Sequence, residues 1–183
     1  MGRKRTTKLE RAFDNIQKRT GSYYVNTRPT YENAKVCIEW KNSHNFINFK
    51  EWAESQENYN VWSQLPDKDA MVDKDIKIQG NKLYSPDTCF LVPRRINALF
   101  PNSQAIRGIY PCGVCLDHGK YKANVKKDGK KIHLGMFLTP EDAFYAYRVC
   151  KEEWIKQVAE EELNKGTISY ECYEAILNYK IMP

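Results

Sequence analysis

The chain has 183 residues, a length that suits one ordinary domain or two small ones. Hydrophobic residues make up 42% of it, which excludes wholesale disorder because such a chain can bury a core. The formal net charge is +6, and the charge is segregated. Residues 1–19 and 107–138 each have seven basic against two acidic residues, whereas residues 141–162 have three against seven. This segregation indicates a polyanionic partner, most often nucleic acid; the alternative is a solvated basic face.

The sequence contains no sign of export or of a membrane anchor. No apolar run follows the basic N-terminus, and no stretch approaches the length of a transmembrane helix. The six cysteines are scattered along the chain, which favours free thiols in a reducing compartment over a disulfide framework. We therefore expect a cytoplasmic protein with no membrane partner. The choice between monomer and dimer stays open.

Residues 1–21 are predicted to form a basic arm that becomes a helix. Leu9, Phe13 and Ile16 recur at helical spacing, and Gly21 ends the pattern. Three basic residues at the start of the arm are candidates for phosphate contacts: Arg3, Lys4 and Arg5. The alternative is a plain surface helix that packs through its three apolar residues.

Residues 22–100 are predicted to form the first module. Its clearest part is the segment 71–100, whose pattern predicts a strand, a turn, a second strand and a short helix. Upstream of it, residues 36–40 predict a short strand and residues 46–53 a helix that covers the hairpin. The unit places Asp73 at one end and Asn97 on the closing helix, an arrangement that can hold one metal ion.

A polar linker at residues 101–108 is predicted to separate the first module from a second at residues 109–165. Residues 121–126 alternate apolar and polar, Asp128-Gly129 indicates a tight hairpin, and Thr139-Pro140 begins a helix with an apolar stripe. This pattern predicts a three-stranded antiparallel sheet with one helix across its back. Its polar side is expected to contain the following residues: Lys122, Asn124, Lys126, Lys131 and His133.

A basic sheet face of this kind suits a groove of double-stranded DNA. The lysines are expected to bind phosphates, and the amide of Asn124 can contact a base edge. Arg94 and Arg95 in the first module are further candidates for DNA contacts. Residues 166–183 are predicted to form a helical tail that docks on one of the two modules.

A zinc site is not expected. Cys112 and Cys115, with His118 beyond them, have the spacing of half a zinc knuckle, but the second half is missing nearby. A complete site would need Cys37 or Cys89 from the first module.

The second module resembles the Apetala-two-type DNA-binding domain of plant transcription factors and phage endonucleases. The resemblance lies in residues 113–114, 119–125, 129–137 and 139–147. It implies three strands whose exposed face enters the major groove, with one helix packed behind them.

The first module resembles a divergent HNH endonuclease of the phage type, through residues 36–40, 46–52 and 71–100. The order of the two modules is similar to that of phage homing endonucleases. The resemblance implies that Asp73 and Asn97 bind one Mg²⁺ or Mn²⁺, a hard cation that prefers such oxygen ligands. It places Thr88 near a residue that braces the hairpin, with Asn81 as the alternative brace.

Lys74 departs from the HNH pattern, because the family has a histidine there that takes a proton from the attacking water. An ordinary lysine, with a pKa of about 10.4, is protonated at neutral pH and is a poor base. Lys74 therefore needs a strongly depressed pKa, or else it contacts phosphate and Asp75 or a metal-bound water acts as the base. His44, in a polar loop, is a further candidate.

Together these features predict an α+β fold, with a small ββα-metal module followed by a three-stranded antiparallel sheet packed on one helix. The expected function is metal-dependent hydrolysis of phosphodiester bonds in DNA, with Asp73, Lys74, Asp75 and Asn97 as the catalytic set. Lys74 motivates the alternative, a catalytically inactive DNA-binding or inhibitory protein on the same scaffold. The third hypothesis is a protein-binding module with an acidic partner.

Overall fold

The computed structural model describes residues 6–100 and 109–183. The predicted phosphate contacts Arg3, Lys4 and Arg5 and the predicted linker at 101–108 lie outside the described residues. Within them the chain combines helices with short sheets, and its longest sheet has three antiparallel strands, so the predicted α+β class is confirmed. No helix in these ranges is long and apolar enough to cross a membrane.

The first helix, α1, spans Lys8–Thr20 and begins at a capping box. The Thr7 side chain accepts a hydrogen bond from the Glu10 backbone, and the Glu10 carboxylate accepts one from the Thr7 backbone. The predicted apolar face is confirmed, since its three residues are buried against Trp40, Phe49 and Trp62. Three helices follow within the first module: α2 (Ser22–Thr27), α3 (Phe46–Ser55) and α4 (Tyr59–Gln64).

The predicted strand at 36–40 is wrong beyond its first residue. Strand β1 spans only Lys35–Val36, and Ile38–Trp40 form a 3₁₀ turn. The only partner of β1 in the described chain is the two-residue strand β3 (Leu83–Tyr84), so the ladder ends early. The turn carries Trp40 into the core, where its ring packs edge-on against Phe49 at a centroid distance of 5.1 Å.

The central hairpin has the predicted order of strand, turn, strand and helix. Strand β2 (Ala70–Asp73) pairs antiparallel with β4 (Phe90–Pro93), and α5 (Arg94–Asn97) follows at once. The register sets Asp73 opposite Phe90 and Ala70 opposite Pro93. Asp73 and the start of α5 therefore lie at opposite ends of this ladder.

The second sheet consists of β5 (Val114–Asp117), β6 (Lys120–Lys127) and β7 (Lys130–Phe137), all antiparallel. Asp128 and Gly129 form the predicted tight turn, with φ angles of 44° and 81°. Helix α6 (Pro140–Asn164) packs across one face, and the Thr139 side chain caps it. Gly113 is required where this helix meets the sheet, because its φ is +80° and a Cβ there would lie 2.1 Å from the Tyr147 ring.

One hydrophobic core spans the predicted boundary between the two modules. Val92 and Ile96 of the central hairpin unit share it with Ile155 and Val158 of α6. The last helix, α7 (Tyr170–Leu177), adds Cys172 and Ile176 to the same core. The amide of Asn58 joins the first module to the tail, since it donates to the backbone oxygens of Leu91 and Thr167. The two halves of the chain therefore do not pack as independent units.

Candidate functional site

The structure brings the five polar residues predicted on β6 and β7 to one face of the sheet. Asn124 lies opposite His133, and Lys126 lies opposite Lys131. The intervening residues of β6, Ala123 and Val125, are buried on the helix side. A bulge at Leu134 shifts the register, so that Lys122 lies opposite Met136 on the same open face.

A shallow cavity of about 530 Å³ lies on this open face. Cys115, Asn124, Lys126 and Lys131 contribute to its lining. Within the described chain, the Asn124 amide has no hydrogen-bond partner and neither lysine has an ion pair. Like charges directly opposite each other on paired strands repel, so Lys126 and Lys131 destabilise the bare sheet and favour an anionic ligand.

Lys122 differs from the other lysines because it is already paired. Its Nζ lies 3.2 Å from Oδ2 of Asp117, and Nδ1 of His118 lies 2.6 Å from the other oxygen of that carboxylate. The hydrogen bonds from His118 and Lys122 lower the pKa of Asp117. This pairing was not predicted from the sequence, although the tight β5–β6 turn at His118-Gly119 is the local signal that places Asp117 beside the lysine strand.

Arg95 is engaged inside the protein rather than presented to a ligand. Its guanidinium group donates to Glu161 at 2.6 Å and to Glu162 at 3.0 Å, and it lies 3.7 Å from Asp128 in the β6–β7 turn. It therefore joins α5 to α6 and to the hairpin of the second sheet. Arg94, by contrast, is exposed and has no ion pair in the described part of the chain.

Asp73 lies at the end of β2, where it closes a turn in the backbone. Its Oδ1 accepts hydrogen bonds from the backbone nitrogens of Asp75 at 2.7 Å and Ile76 at 2.9 Å. Burial raises the pKa of Asp73, and the charge of Asp75 adds to the rise, while the two backbone donors oppose it. The anion of Asp73 is therefore less favoured in the folded protein than in the unfolded chain.

The Lys74 side chain is buried, and its ammonium group donates hydrogen bonds within the hairpin. Its Nζ donates to Oδ1 of Asp75 at 2.6 Å and to the backbone oxygen of Asn81 at 2.7 Å. It also lies 5.6 Å from the centre of the Tyr84 ring. A carboxylate, a carbonyl and an aromatic face thus hold the ammonium group inside the hairpin and do not present it to a substrate.

Asn81 and Thr88 both brace the loop between β2 and β4. The Asn81 amide donates to the backbone oxygens of Lys74 and Leu83 and accepts from the Leu83 nitrogen. The Thr88 hydroxyl donates to the Leu83 oxygen at 2.7 Å and lies 3.0 Å from the hydroxyl of Ser85. Both side chains therefore donate a hydrogen bond to the backbone oxygen of Leu83.

No hydrogen bond connects the side chains of Asp73 and Asn97 among the described residues. Three residues of strand, or about 10 Å, separate Asp73 from the end of the ladder where α5 begins. The four residues of α5 span only about 6 Å. One oxygen of Asp73 is already used by backbone donors, and the Lys74 ammonium balances Asp75. Joint binding of one cation by Asp73 and Asn97 therefore stays a prediction.

The alternative base and the candidate zinc ligands lie at separate places in the fold. His44 is exposed in the 3₁₀ turn Ser43–Asn45 that precedes α3. Cys112 contacts the hydroxyl of Tyr147 on the helix side of the second sheet, whereas Cys115 is exposed on the open face. These two thiols do not point to one ion. Among the described residues, no group of three or more histidines, cysteines or acids is placed to hold a metal.

Arg19 lies near Asp73, a proximity that was not predicted from the sequence. Burial works against its charge, but a hydrogen bond and the proximity of Tyr84, together with Tyr31 and Asp73, raise its pKa. Tyr84 is buried, and this burial raises the pKa of its phenol despite the neighbouring guanidinium. No local pattern indicates the contact, because Arg19 lies in the last turn of α1 whereas Tyr84 lies in β3.

The fold and the open face together define an α+β protein with a basic antiparallel sheet surface. Comparisons of the chain with protein-family models, curated proteins and solved structures found no match. The case for a function therefore depends on the geometry of the chain itself.

Proposed function

We propose that this protein binds double-stranded DNA through the open face of the β5–β7 sheet and acts as a binding protein. The observation that carries the proposal is the pairing of Lys126 with Lys131 beside the unpartnered amide of Asn124. Two unneutralised lysines supply phosphate contacts, and an amide that can donate and accept together suits the edge of an adenine.

The charge on the two sides of the second sheet supports one orientation on DNA. The open face carries the lysines, whereas α6 covers the other face and presents acidic residues to solvent. Glu141, Asp142, Glu153 and Glu160 are exposed on this helix. Repulsion between these carboxylates and phosphates directs the open face, rather than the helix, towards the duplex.

A titration of labelled duplex DNA against salt tests this function. We expect affinity to fall steeply as salt rises, since each phosphate contact contributes a slope of about −0.9 in log K against log salt. A flat salt dependence, or no duplex binding even at low salt, would contradict the proposal. Absence of duplex binding would favour the third hypothesis, a protein-binding module with an acidic partner.

Metal-dependent cleavage of DNA is the second candidate, favoured by the proximity of Asp73 and Asp75. The backbone nitrogen of Asp75 lies 2.7 Å from Oδ1 of Asp73, and the charge of Asp75 helps to raise the pKa of Asp73. Mg²⁺ and Mn²⁺ are the cations to test. Nicking of supercoiled plasmid that is lost in Asp73→Ala would establish this activity, whereas an intact plasmid with either ion would leave DNA binding alone.

A further inference from the structure

The segment that follows α1 contains three tyrosine rings, of which Tyr23 is exposed and Tyr24 and Tyr31 are half-buried. Helix α2 has no buried residue, yet it contains Tyr23 and Tyr24. Tyr23 is 70% exposed. Neither these two rings nor Tyr31 belongs to a hydrophobic core formed by the described residues. A patch of large rings outside a core is typical of a surface that binds a ligand.

The three rings form a continuous series with two arginines. The Tyr23 and Tyr24 centroids are 5.9 Å apart, and the Tyr24 and Tyr31 centroids are 5.7 Å apart. Arg28 lies over the Tyr24 ring at 4.9 Å, and Arg19 lies over the Tyr31 ring at 5.7 Å. We call these five residues the tyrosine–arginine patch.

The charge around the patch selects an anionic ligand. Residues 18–31 contain three basic residues and no acidic one. An anion that also has flat aromatic faces meets both the arginines and the rings. Single-stranded nucleic acid has this chemistry, because every base has a π-face and every linkage has a phosphate. A duplex hides its base faces, so it uses the charge but not the rings.

We infer that the tyrosine–arginine patch binds single-stranded DNA by stacking an unpaired base on the exposed ring of Tyr23 while the exposed Arg28 contacts phosphate. This second surface lies on the first module and differs from the sheet face proposed for duplex DNA. Arg19 belongs to the patch and also contacts Tyr84 beside Asp73. The patch therefore borders the buried polar cluster of the central hairpin.

The test is fluorescence anisotropy of a labelled single strand with the full chain and three variants. Tyr23→Ala is expected to weaken binding about tenfold, in line with the loss of one stacked base. Tyr23→Phe keeps the ring and is expected to bind like the original chain. Tyr145→Ala is the matched control, because Tyr145 is 59% exposed with Arg148 over its ring at 5.5 Å, but it lies on the acidic helix α6.

Two further ligands distinguish contacts to bases from contacts to phosphates, and binding by this patch from binding by the sheet face. An abasic strand of the same length is expected to bind weakly, and equally to the original chain and to Tyr23→Ala. A duplex is expected to bind the original chain and Tyr23→Ala alike, which also shows that the variant is folded. An unchanged single-strand affinity in Tyr23→Ala, equal binding of the abasic and normal strands, or no single-strand binding at all would overturn the inference. Failure of duplex binding alone would overturn only the function proposed for the sheet.

Discussion

Nζ of Lys74 lies 2.6 Å from Oδ1 of Asp75, inside the hairpin where the HNH resemblance implies a catalytic base. The same ammonium donates to the backbone oxygen of Asn81, so the lysine links the two ends of the loop between β2 and β3. Lys74 is 5% exposed. A cation held in this way is a structural element of the hairpin.

Lys74→Ala is therefore expected to destabilise the protein, by about 1–3 kcal/mol, because it leaves a carboxylate and a carbonyl without their donor. Urea denaturation measures the free energy of unfolding. Lys82→Ala is the control, since Lys82 is exposed in the same loop, and we expect a change within about 0.5 kcal/mol. Equal effects of the two substitutions would show that the buried contacts of Lys74 contribute nothing.

Asp73 is expected to make stability depend on pH in the direction opposite to that of an ordinary salt-bridged aspartate. Burial raises its pKa above the ordinary value of 3.8, so the folded state binds the proton more tightly than the unfolded state. The stabilisation from that proton is present at low pH and is lost as pH rises from about 3.8 through the raised pKa. Above that window the charged carboxylate destabilises the fold.

Asp73→Asn keeps an oxygen for the two backbone donors and removes the charge. We expect the variant to gain stability relative to the original chain as pH rises above about 4. Urea denaturation of both proteins between pH 3 and pH 7 measures this difference. A difference that does not change with pH, or that falls as pH rises, would show that the pKa of Asp73 is not raised.

Arg95 and its neighbour Arg94 are expected to behave differently, although both were candidates for DNA contacts. Arg95→Met removes the donor of Glu161 and Glu162 and is expected to cost about 1–3 kcal/mol of stability. Arg94→Met is expected to leave stability unchanged. Thermal or urea denaturation measures the stability of both variants, and a duplex titration measures their affinity for DNA. A fully stable Arg95→Met protein that has lost duplex affinity would restore Arg95 as a DNA contact.

Asn124 and Lys126 are expected to contribute to DNA binding in different ways. Asn124→Ala removes a group suited to a base edge, so it is expected to narrow the affinity difference between preferred and random duplexes. Lys126→Gln removes a phosphate contact, so it is expected to weaken all duplexes alike and to reduce the salt slope by about 1. Lys122→Gln should have a smaller effect, since Lys122 is paired with Asp117. Selection on random duplexes followed by titration measures both quantities.

Local signals predicted most of the elements that position these residues. The spacing of Leu9, Phe13 and Ile16 predicted α1, and alternation in β6 correctly separated its buried and open faces. The Asp128-Gly129 turn and the Thr139 cap each follow from residue types that meet a specific backbone requirement. These features depend on neighbours within a few positions, which is why the sequence contains them.

Contacts between distant segments could not be predicted in the same way. Arg95 pairs with acids 66 and 67 positions away, and the core that unites the two halves of the chain forms only when α6 and α7 pack on the central hairpin. The pairing of Lys74 with Asp75 was missed for another reason. Adjacent residues contact each other only when the backbone turns, and Asp73 produces that turn by binding the nitrogens of residues 75 and 76.

The most direct measurement of duplex binding by the sheet compares two charge-neutralised proteins. The double variant Lys126→Gln with Lys131→Gln removes the facing cations on the open face, whereas Lys156→Gln removes an exposed lysine on α6. We predict that the double variant loses about tenfold or more in duplex affinity at low salt and unfolds at the same or higher urea concentration, because repulsion is relieved. Lys156→Gln is predicted to bind like the original chain. Equal affinity of the double variant and Lys156→Gln would contradict DNA binding by this face.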